Sequence, residues 1–102
     1  MLARWSRRAG SRFAGRRGMY YVYVLKSQEN GDIYVGYSDD LRRRFAQHNQ
    51  GRAKYTKAHV PWTLVYYEAY KDKKDATKRE KELKSHRPKE FLKEHIQNSL
   101  IM

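Results

Sequence analysis

The sequence predicts a small α/β domain of the α+β type: a three-stranded, mostly antiparallel sheet flanked by helices, in the order ββαβαα. Three observations carry this. The runs YYVYVLK and IYVGY are aromatic and β-branched, and turn residues separate them. A third such run, WTLVYYEAY, stands alone further along the chain. Between and after these runs, apolar residues recur at helical spacing next to cap and stop signals.

Taken in order, Tyr20 to Lys26 reads as the first strand. Gln28-Glu29-Asn30-Gly31-Asp32 is turn chemistry, with Asn-Gly a strong hairpin signal. Ile33 to Tyr37 is the second strand. Ser38 is expected to cap a helix running to about His48, with Asp39 and Asp40 in its first turn and Leu41 and Phe45 on its buried side. Gly51 stops it, and residues 49–61 form a basic loop ending at Pro61. Trp62 to Tyr70 is the third strand. Asp72, with Asp75 three residues later, resembles a cap for a helix over Lys73 to Lys84. Pro88 suits the first turn of a last helix carrying Phe91, Leu92 and Ile96.

The 102 residues suit one domain, here placed at 19–102. There is no cysteine, which excludes a disulfide scaffold, thiol catalysis and a cysteine-ligated zinc site, and fits a reducing, cytoplasmic setting. No apolar run approaches the length of a membrane span. The net charge is +12. Residues 1–18 hold six arginines and no acid, and read as a disordered extension: a phosphate-touching arm, a presequence, or residues gained from a start upstream of Met19. The folded pattern begins at Met19 itself, which favours the last of these. The rest keeps 17 Lys+Arg against 11 Asp+Glu. Leu41 to His59 carries Arg42, Arg43, Arg44, Arg52, Lys54 and Lys57 with no carboxylate. Such a stretch is either a solvated face or the footprint of a polyanion. Its persistence without the N-terminal arm favours nucleic acid, and a cytoplasmic protein of this kind could associate with the nucleoid.

Several residues look out of place on their own elements. Glu80 falls four after Ala76 and three before Leu83, on the inward side of its helix. An inward carboxylate either pairs with a basic neighbour, the commoner case, or holds a hard cation such as Mg2+. Arg44 and His48 share a helix face roughly 60° from Leu41 and Phe45, so both can lean over the sheet edge; the ordinary alternative is a surface arginine and a surface histidine. Tyr21, Tyr23 and Leu25 share one strand face, and Tyr34 and Gly36 share another. Strand tyrosines are usually half-buried with a wet hydroxyl, and a glycine such as Gly36 often ends a strand or marks a bulge.

Together these positions resemble the GIY-YIG endonuclease superfamily, in its small stand-alone bacterial form. Tyr21-Val22-Tyr23 takes the place of Gly-Ile-Tyr, and Tyr34-Val35-Gly36 that of Tyr-Ile-Gly. Arg44, His48 and Glu80 fall on the family's helix arginine, His-or-Tyr and metal-binding glutamate positions. GRAKYTK and PWTLVYYE resemble its loop and third strand, and the likeness covers residues 19–86. Three positions depart from the pattern. Tyr21 replaces a glycine, Tyr37 stands where excision-repair relatives have lysine, and Asn98 lies far from Glu80 for the family's asparagine.

The resemblance implies hydrolysis of a nucleic-acid phosphodiester with one Mg2+ or Mn2+ held by Glu80. Arg44 would pair with phosphate oxygens. One of Tyr23, Tyr34 or His48, with Tyr23 suggested by the family, would take the water's proton; a free tyrosine, with a pKa near 10, would need cation charge nearby. Gly36 would let the backbone pass close to the first helix and the substrate. Arg42, Arg43, Arg52, Lys54 and Lys57 would contact nucleic acid, and a protein partner could supply specificity. The expected activity is thus a metal-dependent endonuclease acting on DNA or structured nucleic acid. The alternatives are a non-catalytic binding module and an adaptor using the aromatic third strand and last helix.

Overall fold

The computed structural model describes residues 18–85, 90 and 94–100. Strands β1 (Tyr20–Ser27), β2 (Ile33–Ser38) and β3 (Trp62–Tyr70) form one antiparallel sheet in the order β2-β1-β3. Helix α1 (Leu41–Asn49) follows β2, a single 3-10 turn spans Lys57–His59, and α2 (Lys73–Lys84) follows β3. A short α3 covers Gln97–Leu100. This is the α+β architecture expected. The extension at 1–18, but for Gly18, and the helix start at Pro88 with Phe91 and Leu92 lie outside the described residues. Ile96 is buried in the core, and Asn98 is exposed on α3. Among the described residues no helix is long and apolar enough to cross a membrane.

The central strand sorts its side chains strictly by parity, as a pleated strand must. Val22 and Val24 point to one face and pack with Val35, Val65, Ala76 and Leu83, so α2 covers that side. Tyr23 and Leu25 point to the other and pack with Leu41, Trp62 and Leu64, with Phe45 alongside, so α1 covers it. Val24 pairs with Tyr66 but Leu25 with Leu64, a bulge that leaves Val65 as the extra residue of β3. The irregularity therefore lies on β3 and not at Gly36.

The hairpin closes as its residues require. Gly31 has φ +79, a conformation that suits glycine, and Ser27 Oγ accepts from the backbone N–H groups of Glu29 and Asn30. The start of α1 differs from expectation. Ser38 is still strand, paired with Tyr21, and its hydroxyl accepts from Asp40 N–H. Asp40 is the residue that caps, accepting from Arg43 N–H at 3.2 Å, so neither acid lies in the first turn. The strand ladder outlasts the local cap signal by one residue. Asp72 caps α2 as expected, accepting from Lys74 N–H at 2.8 Å.

Segment 50–61 is more than a loop. Ala53 and Thr56 are buried, Trp62 Nε1 donates to the Thr56 carbonyl, and Ser27 Oγ donates to the His59 carbonyl. Asn49 clamps the end of this segment by exchanging two bonds with the Trp62 backbone. The basic stretch is thus a structured excursion folded back against α1 and the hairpin.

Candidate functional site

The site is built around Tyr23, the middle of the central strand. Its direct partner on β2 is Gly36. A Cβ at that position would lie 2.5 Å from Tyr23 Cζ and 2.9 Å from Cε1. The phenol end of Tyr23 therefore occupies the space that a Cβ at this position would fill. The close approach seen at this glycine is that of Tyr23.

Lying this way, Tyr23 is only 1% exposed, and its hydroxyl meets His48 Nε2 at 2.8 Å. His48 is fully buried, so it is not a surface histidine. Its other nitrogen, Nδ1, lies 2.7 Å from Thr56 Oγ1. A continuous chain Tyr23–His48–Thr56 results. It joins β1, α1 and the 50–61 segment, and every buried polar side-chain atom among the described residues has a partner.

Burial, assisted by the charge of Arg44, pushes the His48 imidazole down to about 4. His48 is therefore neutral near pH 7, with one ring nitrogen donating and the other accepting. Burial, then the Tyr34 phenol, drives the Tyr23 pKa well above that of a free tyrosine, and Arg44 only partly offsets this. Tyr23 is thus a protonated phenol in this state, not a preformed phenolate.

Three side chains surround this chain. Tyr34 is half-buried, in ring contact with Tyr23 (6.4 Å), His48 (5.1 Å) and Trp62 (6.4 Å). Arg44 is half-buried, and its Nη1 donates to Gln47 Oε1 at 3.0 Å, which steers the guanidinium fork. Glu80 comes from α2, the helix on the opposite face. It reaches the site because β2 is an edge strand that α2 side chains can pass. Its charge acts on both Tyr23 and Tyr37. Its Oε2 lies 3.0 Å from Lys84 Nζ, and that ammonium also stands 5.6 Å over the Tyr34 ring. Of the two readings of an inward glutamate, a basic partner is thus present.

The five candidate residues, expected from the family resemblance, are brought together. The basic residues divide. Arg43 pairs with Asp40 at 3.6 Å, and Arg42 is half-buried. Arg52, Lys54 and Lys57 are exposed on the segment that carries Thr56, with Tyr55 exposed among them and Lys54 Nζ 5.6 Å over its ring. Tyr21, in the glycine's place, is accommodated by an edge contact with Tyr67 at 6.0 Å. Tyr37 packs on the opposite, valine-lined face, turned away from Tyr23. Thr56 is the member sequence reasoning missed. Nothing local marks a threonine in a basic stretch as buried, and only the resemblance of GRAKYTK to a family loop hinted at it.

No group of three or more His, Cys, Asp or Glu side chains among the described residues is placed to enclose a metal ion. The donor set still suits Mg2+, which commonly takes one or two protein carboxylates and completes its shell with water and substrate phosphate oxygens. Glu80 is such a carboxylate, partly exposed, with a cation already beside it.

The tyrosine–histidine chain, the arginine and the carboxylate thus converge from β1, α1 and α2. The family model of the GIY-YIG catalytic domain matches residues 19–97, and the chain belongs to that family. It is 43% identical over 75 residues to a UPF0213 protein of Staphylococcus epidermidis, covering 72% of this chain and 90% of the relative. A UPF0213 protein of Streptococcus pneumoniae is 40% identical over 85 residues, covering 79% and 85%. The solution NMR structure of a UPF0213 protein from Bacillus halodurans is 40% identical, covering 72% of this chain and 81% of that one, with TM-score 0.47. The domain is of nuclease type, and its substrates are nucleic acids.

Proposed function

We propose that this protein is a metal-dependent endonuclease that hydrolyses phosphodiester bonds in DNA or structured nucleic acid, with Tyr23, Tyr34, Arg44, His48 and Glu80 as its working residues. The observation that carries this reading is the Tyr23–His48–Thr56 chain, in which a phenol is bonded to an imidazole kept neutral by its surroundings. A purely structural tyrosine needs one acceptor. It does not need an acceptor with a second buried hydroxyl behind it.

Glu80 would hold Mg2+ or Mn2+, which when bound neutralises charge on the scissile phosphate and the leaving oxygen. Arg44 would pair its planar fork with the non-bridging oxygens. Tyr23 is too high in pKa to act as a free base. It can, however, take a proton from the attacking water while passing its own to His48 Nε2, which leaves His48 as an imidazolium whose Nδ1–H donates to Thr56 Oγ1. No free phenolate is required in that exchange. Because Tyr23 is almost fully covered, the water would reach it only after side chains around it are drawn aside by nucleic acid. Tyr34, part exposed, walls the entry. The exposed Arg52, Lys54 and Lys57 would contact the phosphate backbone, and the setting consistent with such a substrate is the cytoplasm.

The test is a nicking assay on duplex, branched and single-stranded DNA and on RNA, with and without Mg2+, run beside Glu80→Ala. Cleavage that needs Mg2+ and is lost in Glu80→Ala supports the proposal. Cleavage surviving in Glu80→Ala removes the metal-holding role. Metal-independent binding with no cleavage of any substrate would leave a nucleic-acid-binding module instead.

A further inference from the structure

Lys84 is not explained by the site residues described so far. It is the last residue of α2, one helical turn beyond Glu80. An i,i+4 pair on a helix surface is ordinary, and its attraction is weak. Here a third group takes part. The ammonium lies 3.0 Å from Glu80 Oε2 and also 5.6 Å over the ring of Tyr34. Tyr34 belongs to the opposite face of the sheet from the side α2 covers. The Lys84 side chain therefore runs past the edge of β2 and ends between a carboxylate and a π face, two groups that both attract cations. The two partners also differ in freedom. The Glu80 side chain is 22% exposed and that of Lys84 is 48% exposed, so the lysine can swing into water while the glutamate keeps its place.

We propose that Lys84 is a resident counter-cation at Glu80, positioned where a divalent ion would bind and displaced by it, so that Lys84 sets the metal affinity of the site. This rests on Glu80 being the metal-holding carboxylate. Three consequences follow physically. Glu80 is never left as an unpaired, partly buried anion when no metal is bound. A divalent ion must break the Lys84 contact, and repels the ammonium if it stays nearby, so metal binding to the free protein is weakened. An incoming phosphate gives the departing ammonium a new anionic partner, so nucleic acid and metal are taken up together rather than separately. Lys84 is thus a positioning residue, acting on the site through Glu80.

The experiment is Mn2+ binding to the full chain without nucleic acid, followed by the loss of the free Mn2+ electron paramagnetic resonance signal. Wild type, Lys84→Met, Lys84→Arg, Glu80→Gln and the double variant Glu80→Gln/Lys84→Met are compared, with circular dichroism confirming that each is folded. Lys84→Met keeps the aliphatic length and removes the charge, and is expected to bind Mn2+ about three- to tenfold more tightly. Lys84→Arg, which keeps the charge, should stay near wild type. The gain should vanish in the double variant. A second readout is the coupling itself: adding a short DNA should tighten Mn2+ binding more in wild type than in Lys84→Met. If Lys84→Met binds no more tightly while Glu80→Gln weakens binding, Glu80 keeps its metal role and the inference about Lys84 is overturned. If Glu80→Gln leaves Mn2+ binding unchanged in both backgrounds, or no variant binds Mn2+, the metal-holding role of Glu80 and this inference fall together.

Discussion

Two tyrosine clusters lie on opposite faces of the same three strands, and they are wired in opposite ways. On the α2 face, Tyr66 and Tyr70 both donate to Glu68, and Arg79 closes on the same carboxylate through Nε at 2.9 Å and Nη2 at 3.2 Å. Burial alone would raise the Glu68 pKa, but these bonds outweigh it and hold the carboxyl below its usual value. Burial and that same carboxylate push both tyrosines up to about 12. The knot is closed, with a full negative charge answered by a full positive one. On the α1 face, Tyr23 meets a neutral imidazole and a threonine, with no charge inside the chain. Its charges, Arg44 and Glu80, stand at the border. A charged knot resists any change in protonation, whereas a neutral chain can hand a proton along its hydrogen bonds. The first arrangement fixes α2 against β3; the second leaves a tyrosine able to exchange its proton.

The sharpest way to break this contrast is to remove one hydroxyl from each cluster. Tyr23→Phe should lower Mg2+-dependent cleavage by roughly 10²–10⁴-fold. It should also cost about 1–3 kcal/mol of stability, because His48 Nε2 is left buried without a partner. Tyr70→Phe should leave cleavage unchanged and affect stability alone, since Glu68 keeps Tyr66 and Arg79. Urea denaturation and single-turnover cleavage on the two variants decide the matter. Comparable losses of cleavage in both would show that the two clusters are not functionally distinct.

A methyl group at Gly36 probes the geometry rather than the chemistry. The Tyr23 ring that it would meet is buried and cannot step aside cheaply. Gly36→Ala should destabilise the fold by about 1–3 kcal/mol and lower cleavage with it. The same change made on top of Tyr23→Ala should cost much less, because the clash has gone. Equal costs in the two backgrounds would mean that the glycine serves something other than Tyr23.

What the sequence disclosed, and what it withheld, divides along the same line. The strands, both long helices and the parity of Tyr23 against Val22 were legible, because alternation and helical spacing are local and repeat many times. The inward side of Glu80 was legible for the same reason. The burial of His48 was not. Its helix position lies near the edge of the apolar stripe, and only the return of residues 50–61 over it closes the site. Thr56 was hidden because its partner lies eight residues away through a non-repeating path. The cap of α1 was misplaced because Ser38 could serve either strand or cap, and pairing with Tyr21 decided it. The role of Gly36 was visible as a motif, but its cause, the ring of a residue on another strand, is a tertiary fact. Lys84 escaped notice for a similar reason. An i,i+4 partner is ordinary in sequence, and Tyr34 becomes its neighbour only around the edge of β2.

Acid separates the two clusters by where their stability is lost. His48 titrates near 6.5 when unfolded and about 4 when folded. Below pH 6.5 the unfolded chain binds a proton that the folded one refuses, so stability falls as the pH drops from 6.5 toward 4. The loss is on the order of 2–3 kcal/mol. The Glu68 pKa is lowered in the fold, so its contribution is present above the normal carboxyl range and lost only below about 4.5 as the pH falls through the folded value. Urea midpoints taken from pH 7.5 to 3.5 should therefore decline in two stages. His48→Gln should flatten the first, and Glu68→Gln the second. A wild-type protein equally stable at pH 7 and pH 5 would contradict the neutral, buried histidine.

The smallest effect expected is also the one that asks which surface nucleic acid touches. Arg52, Lys54 and Lys57 are exposed on the segment that holds Thr56, beside the α1 face, while Lys74 and Lys78 are exposed on α2. Each phosphate contact releases counterions and adds about 0.9 to the slope of log K against log salt for duplex DNA, or about 0.7 for a single strand. Changing Arg52, Lys54 and Lys57 together to alanine should lower that slope by about 2–3, and changing Lys74 and Lys78 should leave it alone. Tyr55, 76% exposed between those cations, supplies the complementary control. An aromatic face stacks on bases without releasing counterions, so Tyr55→Ala should weaken binding at every salt concentration while preserving the slope. Fluorescence anisotropy across a salt series distinguishes the two kinds of contact. A slope that responds to the α2 lysines instead would move the nucleic acid to the closed, charged side of the sheet, away from Tyr23.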